Sequence, residues 1–194
     1  MKKYWINMKS NCSLILGLVL ILSGCDQMSE KETDSSAGLN GGFEISKNGL
    51  PVNWLMYTNN TVPEADFTIE LDKDVFIEGK QSLKFDVKKC TTIGEWHSPG
   101  FTNEFFDIGK YDGEGIYKIS FWIKNNGSTF RVTAGGVSAM KGEMKTLIEG
   151  NDEIDDWKLH EYEINVPNNR WLRMQLNILQ PGTFWIDDIK IEKL

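Results

Sequence analysis

One short stretch of the chain sets four side chains able to grip a polyol at every second position: Trp171, Arg173, Gln175 and Asn177. A sugar ring has apolar C–H faces and a rim of hydroxyls. Flat aromatics stack on the faces, and guanidinium and amide groups make paired hydrogen bonds to the rim. A spacing of two puts all four on one face of an extended strand. The residues between them, Leu172, Met174, Leu176 and Ile178, are apolar, so the polar set belongs to the face turned away from the core. Trp122, between Ser120 and Lys124, and Arg131 hold the same kind of position on two earlier segments. The expectation is one shallow groove across one sheet. Trp96, in the aromatic and turn-rich run from Glu95 to Phe101, is a candidate for the same groove. One or two stacked rings and three or four hydrogen bonds would supply roughly 4–8 kcal/mol, millimolar to micromolar binding. The competing reading is structural. Trp122 and Trp96 could be buried under a loop or in the core, and Arg173 could pair with a surface acid. Trp54, Trp157 and Trp185 read as core or loop packing.

Other chemistry finds less support. A glycosidase needs two carboxyls facing each other about 5–9.5 Å apart. The adjacent pairs Asp155-Asp156 and Asp187-Asp188 would point to opposite faces of a strand, so neither is a dyad by itself. There is no Gly-x-Ser-x-Gly elbow, no His-Glu-x-x-His pair and no phosphate loop. Cys90 has no histidine beside it to make it a nucleophile, and the two histidines, His97 and His160, are too few for a His-rich zinc site. Glycosidase carboxylates have no compact motif, so hydrolysis or lyase action on glycans stays open as an alternative to binding. Docking of a partner protein of the envelope is a third reading.

Cys25 carries a different chemistry. Lys2, Lys3 and Lys9 precede the apolar run Leu14–Leu22, and Leu22-Ser23-Gly24-Cys25 follows. A basic n-region and a short apolar h-region make a secretory signal. Nine apolar residues as a helix span about 14 Å, roughly half a hydrocarbon core, so a permanent membrane helix is not expected. The last four residues match the bacterial lipobox at every position: cleavage before Cys25 exposes the thiol that takes the lipid. The expected product is a lipoprotein of the cell envelope, held on the periplasmic or outward face of an outer membrane through its lipid alone. Residues 25–39 are polar and acidic and read as a flexible tether.

Composition narrows the class. Losing three lysines with the signal leaves 18 basic against 28 acidic residues, a net charge of −10. That excess argues against nucleic acid and against adsorption to anionic lipid. With Cys12 removed and Cys25 lipidated, Cys90 has no partner for an intramolecular disulfide. About 155 residues then remain for one sizeable domain, 40–194, expected as a monomer.

The elements that must hold the polar face are strands. Apolar and polar residues alternate through 82–87, 117–124, 130–134, 172–178 and 185–192. On this reading Trp185, Asp187, Ile189 and Ile191 share one face of the last strand, with Asp187 pointing inward. Turn signals fall between the runs at Glu78-Gly79, Asp112-Gly113, Asn126-Gly127, Pro167-Asn168-Asn169 and Pro181-Gly182. Residues 138–156 are the least regular and are expected to hold a long loop. No segment has a helical period. The fold class is all-β, a jelly-roll β-sandwich of two antiparallel sheets.

These residues also carry a resemblance. Asn40-Gly41-Gly42-Phe43-Glu44, Pro51-Val52-Asn53-Trp54, Glu78–Lys84, Tyr117–Lys124, Asp156-Trp157-Lys158 and Phe184–Ile189 occur in an order that resembles the jelly-roll carbohydrate-binding modules of families four, nine and twenty-two and their galactose-binding-like relatives. It covers residues 40–193. The resemblance implies a glycan ligand and a structural calcium joining the first strand to the last, with Glu44, Asp187 and carbonyls of 73–79 as ligands. Calcium takes six to eight oxygens, which two carboxylates and a loop could begin to supply. The acidic residues after Cys25 resemble the surface-export signal of Bacteroidetes lipoproteins.

Overall fold

The computed structural model describes residues 32–103, 113–138 and 142–194. The signal segment and Cys25 lie outside these residues. The described residues form twelve strands: β1 (Ser46–Lys47), β2 (Leu50–Pro51), β3 (Trp54–Tyr57), β4 (Asp66–Asp72), β5 (Ser82–Lys89), β6 (Gly100–Asn103), β7 (Gly115–Asn126), β8 (Thr129–Val137), β9 (Gly142–Gly150), β10 (Ile154–Val166), β11 (Trp171–Gln180) and β12 (Gly182–Lys193). β1 and β2 make a small hairpin. The others form two five-stranded antiparallel sheets, a first of order β10-β7-β12-β5-β4 and a second of order β3-β6-β11-β8-β9. The chain changes sheet at most connections, while β4-β5 and β8-β9 are hairpins within one sheet. This is the jelly-roll sandwich that the alternation implies.

The inner faces come from the alternating apolar residues. Leu83, Phe85, Ile119, Phe121, Ile123, Phe184 and Ile186 of the first sheet meet Phe101, Phe130, Val132, Met174, Leu176 and Ile178 of the second, all buried. Each such side chain contributes about 1.5–3 kcal/mol by leaving water. Aromatic edges knit one end: Trp54 meets Phe101 at 4.9 Å between centroids, and Phe43 meets Trp54 at 5.9 Å. Trp54 Nε1 donates to Asn40 O. Asn40, in the left-handed region at φ 54°, also bonds Ile45 and Val52 through its amide. Ile189 N donates to Gly41 O at 3.0 Å, tying the first described segment to β12.

Three expectations change. Residues 138–156 are not one long loop, because β9 pairs with β8 from Gly142 to Gly150 and β10 starts at Ile154. Within 25–39, residues 32–39 are docked: Asn53 binds Asp34 and Gly38 through its side chain and Glu32 through its backbone, while Lys47 and Asn48 bind the Glu32 carboxylate. The last strand does not keep one register. An irregularity between Asp187 and Lys190, with Asp188 at φ 48°, exchanges the faces. Trp185 and Asp187 therefore lie on the outer face with Trp122, whereas Ile189 and Ile191 turn to the core.

Candidate functional site

The outer face of the second sheet carries most of the expected polar groups. Cross-strand register places Tyr57, Gly100, Asn177, Arg131 and Glu149 in one row, and Leu55, Thr102, Gln175, Thr133 and Thr146 in the next. Arg173 and Gly135 continue the face beyond them. A 3-10 turn, Glu95–His97, lies over the β6-β11 end of this face. It presents Trp96 with 48% of its surface open, and the ring meets that of buried Tyr57 at 5.9 Å and 49°. Burial drives the Tyr57 hydroxyl up to about 12, an effect the Arg173 guanidinium opposes. Arg173 is itself held below its ordinary value by burial, with Tyr57 and the Glu95 carboxylate acting in the other direction. Arg131 makes a forked pair with Glu149, 2.6 Å from Nε and 3.2 Å from Nη2. The result is an exposed indole against a phenol, with the Arg173 guanidinium acting on that phenol and the Arg131–Glu149 pair farther along the same face.

Gln175 and Asn177 have another role. Both are buried, and Gln175 Nε2 donates to Asn177 Oδ1 at 2.9 Å while Asn177 Nδ2 donates to Glu95 O at 2.8 Å. Asn177 bonds the Trp96 turn directly, and Gln175 bonds Asn177. Trp171 stands at the opposite end of β11, across from Val137. Its Nε1 is enclosed without a hydrogen-bond partner among the described residues.

Trp122 is on the other side of the molecule. It belongs to β7 in the first sheet, beside Leu159 and Asp187, so it cannot share a groove with Arg131 or Arg173. It lines a depression of about 500 Å³ with Ile77, Ser120, Leu159 and the pairs Lys118–Glu161 and Lys190–Asp188. The single groove expected from alternation is thus two surfaces on opposite sheets. Tyr57 and Glu95 were not among the expected site residues. β3 is apolar on both faces, which hides its period, and Glu95 enters only because its turn folds over β11.

The two expected metal ligands, Glu44 and Asp187, both bond the turn from Ile77 to Lys80. Asp187 is fully buried, and Oδ2 accepts from Ile77 N at 3.0 Å and Glu78 N at 3.2 Å. Glu44 Oε1 accepts from Lys80 N at 2.8 Å and lies against Gly79, where a Cβ would collide with it. Gly79 takes φ 67°, which favours glycine. Asp187 has no ion pair among the described residues, and burial pushes its carboxyl up to about 6 against the hydrogen bonds that it accepts. Two carboxylates on one turn, one of them buried without a countercharge, fit a hard cation. The described residues contain no cluster of three or more acidic, histidine or cysteine side chains suited to a metal. The remaining ligands would have to be carbonyls.

The chain matches no protein-family model and no curated protein. Its fold does match solved structures. The CBM22-1 xylan-binding domain from Paenibacillus barcinonensis Xyn10C superposes with a TM-score of 0.54 at 12% identity, covering 79% of this chain and 91% of that one. The C-terminal family 22 carbohydrate binding module of Clostridium thermocellum Xyn10B gives 0.55 at 14%, covering 84% and 96%. The enzymatically active domain of bacteriophage CBA120 tailspike protein 4 gives 0.57 at 14%, over 80% of this chain but 21% of that one. The protein therefore has the fold of the jelly-roll carbohydrate-binding modules. At these identities the likeness is one of architecture, and the same architecture occurs inside a much larger phage protein.

Proposed function

We propose that the protein is a non-catalytic glycan-binding lipoprotein that holds its ligand on the outer face of the second sheet. The observation that carries this reading is Trp96, an exposed indole against Tyr57, on the face that also carries Arg131 and Arg173. An aromatic platform stacks on the C–H face of a sugar, and guanidiniums bond vicinal hydroxyls in pairs. The likeness to xylan-binding modules supports a polysaccharide or oligosaccharide as the ligand class. Lipid on Cys25 would keep the domain at the outer membrane as a monomer, and a calcium held by Glu44, Asp187 and carbonyls of the 73–79 loop would lock the chain's first segment to β12. A glycan array and affinity gels run with the mature chain test the assignment. Retention without product release is expected; release of sugar would make it an enzyme, and silence across glycans would remove the reading.

One observation favours a second reading, protein docking. Phe76, Ile77 and Leu159 each leave about two fifths of their surface exposed, and Ile77 and Leu159 share the Trp122 depression. Specific pull-down of an envelope protein, lost in Trp122→Ala, would support it.

A further inference from the structure

We infer that Asn177 is a positioning residue: seated by Gln175, it fixes the Glu95–His97 turn so that Trp96 stands ready against Tyr57 before any ligand arrives. The inference rests on the glycan-binding reading for its functional consequence. Its basis is the turn's own geometry. Gly94 at φ 83° and Glu95 at φ 50° put two successive residues in the left-handed region. Glycine enters it freely, whereas Glu95 does so at a cost that the surroundings must offset. Local bonds close the loop: His97 N to Gly94 O, Gly94 N to Ser98 Oγ, Ser98 Oγ to Thr91 O, and Thr91 Oγ1 to His97 O. None of these ties the turn to the sheet.

The tie is Asn177. It lies 82 residues from Glu95 in sequence, yet its Nδ2 reaches Glu95 O at 2.8 Å. A carbonyl only accepts, so the amide must turn its nitrogen to Glu95 and its oxygen to Gln175 Nε2. The Glu95 carbonyl sets that orientation, and Gln175 Nε2 supports it by donating to the Asn177 oxygen. Asn177 is 4% exposed and Gln175 7%, so water competes poorly for either bond. Asn177 Oδ1 also lies 3.7 Å from where a Cβ at Gly94 would stand, which shows how closely the turn is seated. The bond holds the residue next to Trp96, and the indole inherits its place against Tyr57 from it. An aromatic held in its bound position avoids the ordering cost that a mobile one would meet on binding.

The test labels the intact chain with 5-fluorotryptophan, assigns the Trp96 resonance with Trp96→Phe, and compares ligand-free wild type with Asn177→Ala and Gln175→Ala. The expected result is a shifted or broadened Trp96 line in Asn177→Ala, and a smaller change in Gln175→Ala, while the Trp54 and Trp185 lines stay in place. An unchanged Trp96 line in a folded Asn177→Ala overturns the inference. Where Asn177→Ala does not fold, Gln175→Ala with an unmoved Trp96 line overturns it equally. On a soluble xylan gel, Asn177→Ala is expected to weaken retention about fivefold to tenfold. In a Trp96→Ala background it is expected to cost nothing more, because the effect runs through the indole. Equal losses in both backgrounds contradict it. Wild type unretained by any glycan would sink the functional reading, whereas the ligand-free fluorine spectrum still decides the role of Asn177.

Discussion

Asp187 is a carboxylate with three backbone hydrogen bonds and no ion pair among the described residues. Burial raises its folded value from 3.8 to about 6, so folding favours the neutral acid. Without a bound metal, the stability that this group contributes is present below about pH 4 and lost as pH rises through about 6. In chelator, the melting midpoint of the wild type is expected to fall by a few degrees relative to Asp187→Asn between pH 4 and 7. Calcium should restore it at neutral pH, since a divalent ion favours the charged form. Parallel pH profiles for the two proteins would contradict the assignment. At this scale the sequence was half legible. Period-two spacing put Arg173, Gln175 and Asn177 on the correct face, and the turn-rich run marked Trp96. It could not show that Gln175 and Asn177 are covered, because the segment that covers them lies some 80 residues away.

Strand alternation identifies elements well where one face is wet and the other buried. β5, β7 and the first half of β8 meet that condition; β11 is buried on both faces over most of its length, yet in all four the inner residues are those the pattern implies. β12 defeats it through the irregularity at Asp188, which adds a residue and exchanges faces without disturbing the run of residue types. β9 defeats it too, as an edge strand mostly half-buried or exposed on both sides. The docked segment 32–39 has few apolar residues, and polar bonds to Asn53 hold it instead. Asn53→Gly keeps the left-handed backbone, φ 68°, and removes the amide. Faster hydrogen exchange in 32–39 is expected, with a global cost of about 1–2 kcal/mol in urea melts. Protection unchanged at 32–39 would mean that the segment is held otherwise.

The whole molecule has two unlike outer faces. The second sheet offers Trp96, Tyr57 and two guanidiniums; the first offers the Trp122 depression lined by acid–lysine pairs. Which sheet a strand joins is not written in its alternation. β7 and β8 are joined by only Gly127 and Ser128 yet lie in different sheets, and this places Trp122 on the opposite side of the molecule from Arg131. If the lipid sits on Cys25, six residues separate it from Glu32, the first described residue. An extended chain of that length reaches at most about 25 Å, so the body would stay near the membrane. We propose that glycan is held on the second sheet. This is tested most directly by titrating the mature wild type, Trp96→Ala and Trp122→Ala calorimetrically with a glycan retained by the wild type. A loss of at least about tenfold is expected for Trp96→Ala and no change for Trp122→Ala. Full affinity in a folded Trp96→Ala, with binding lost in Trp122→Ala, would contradict it.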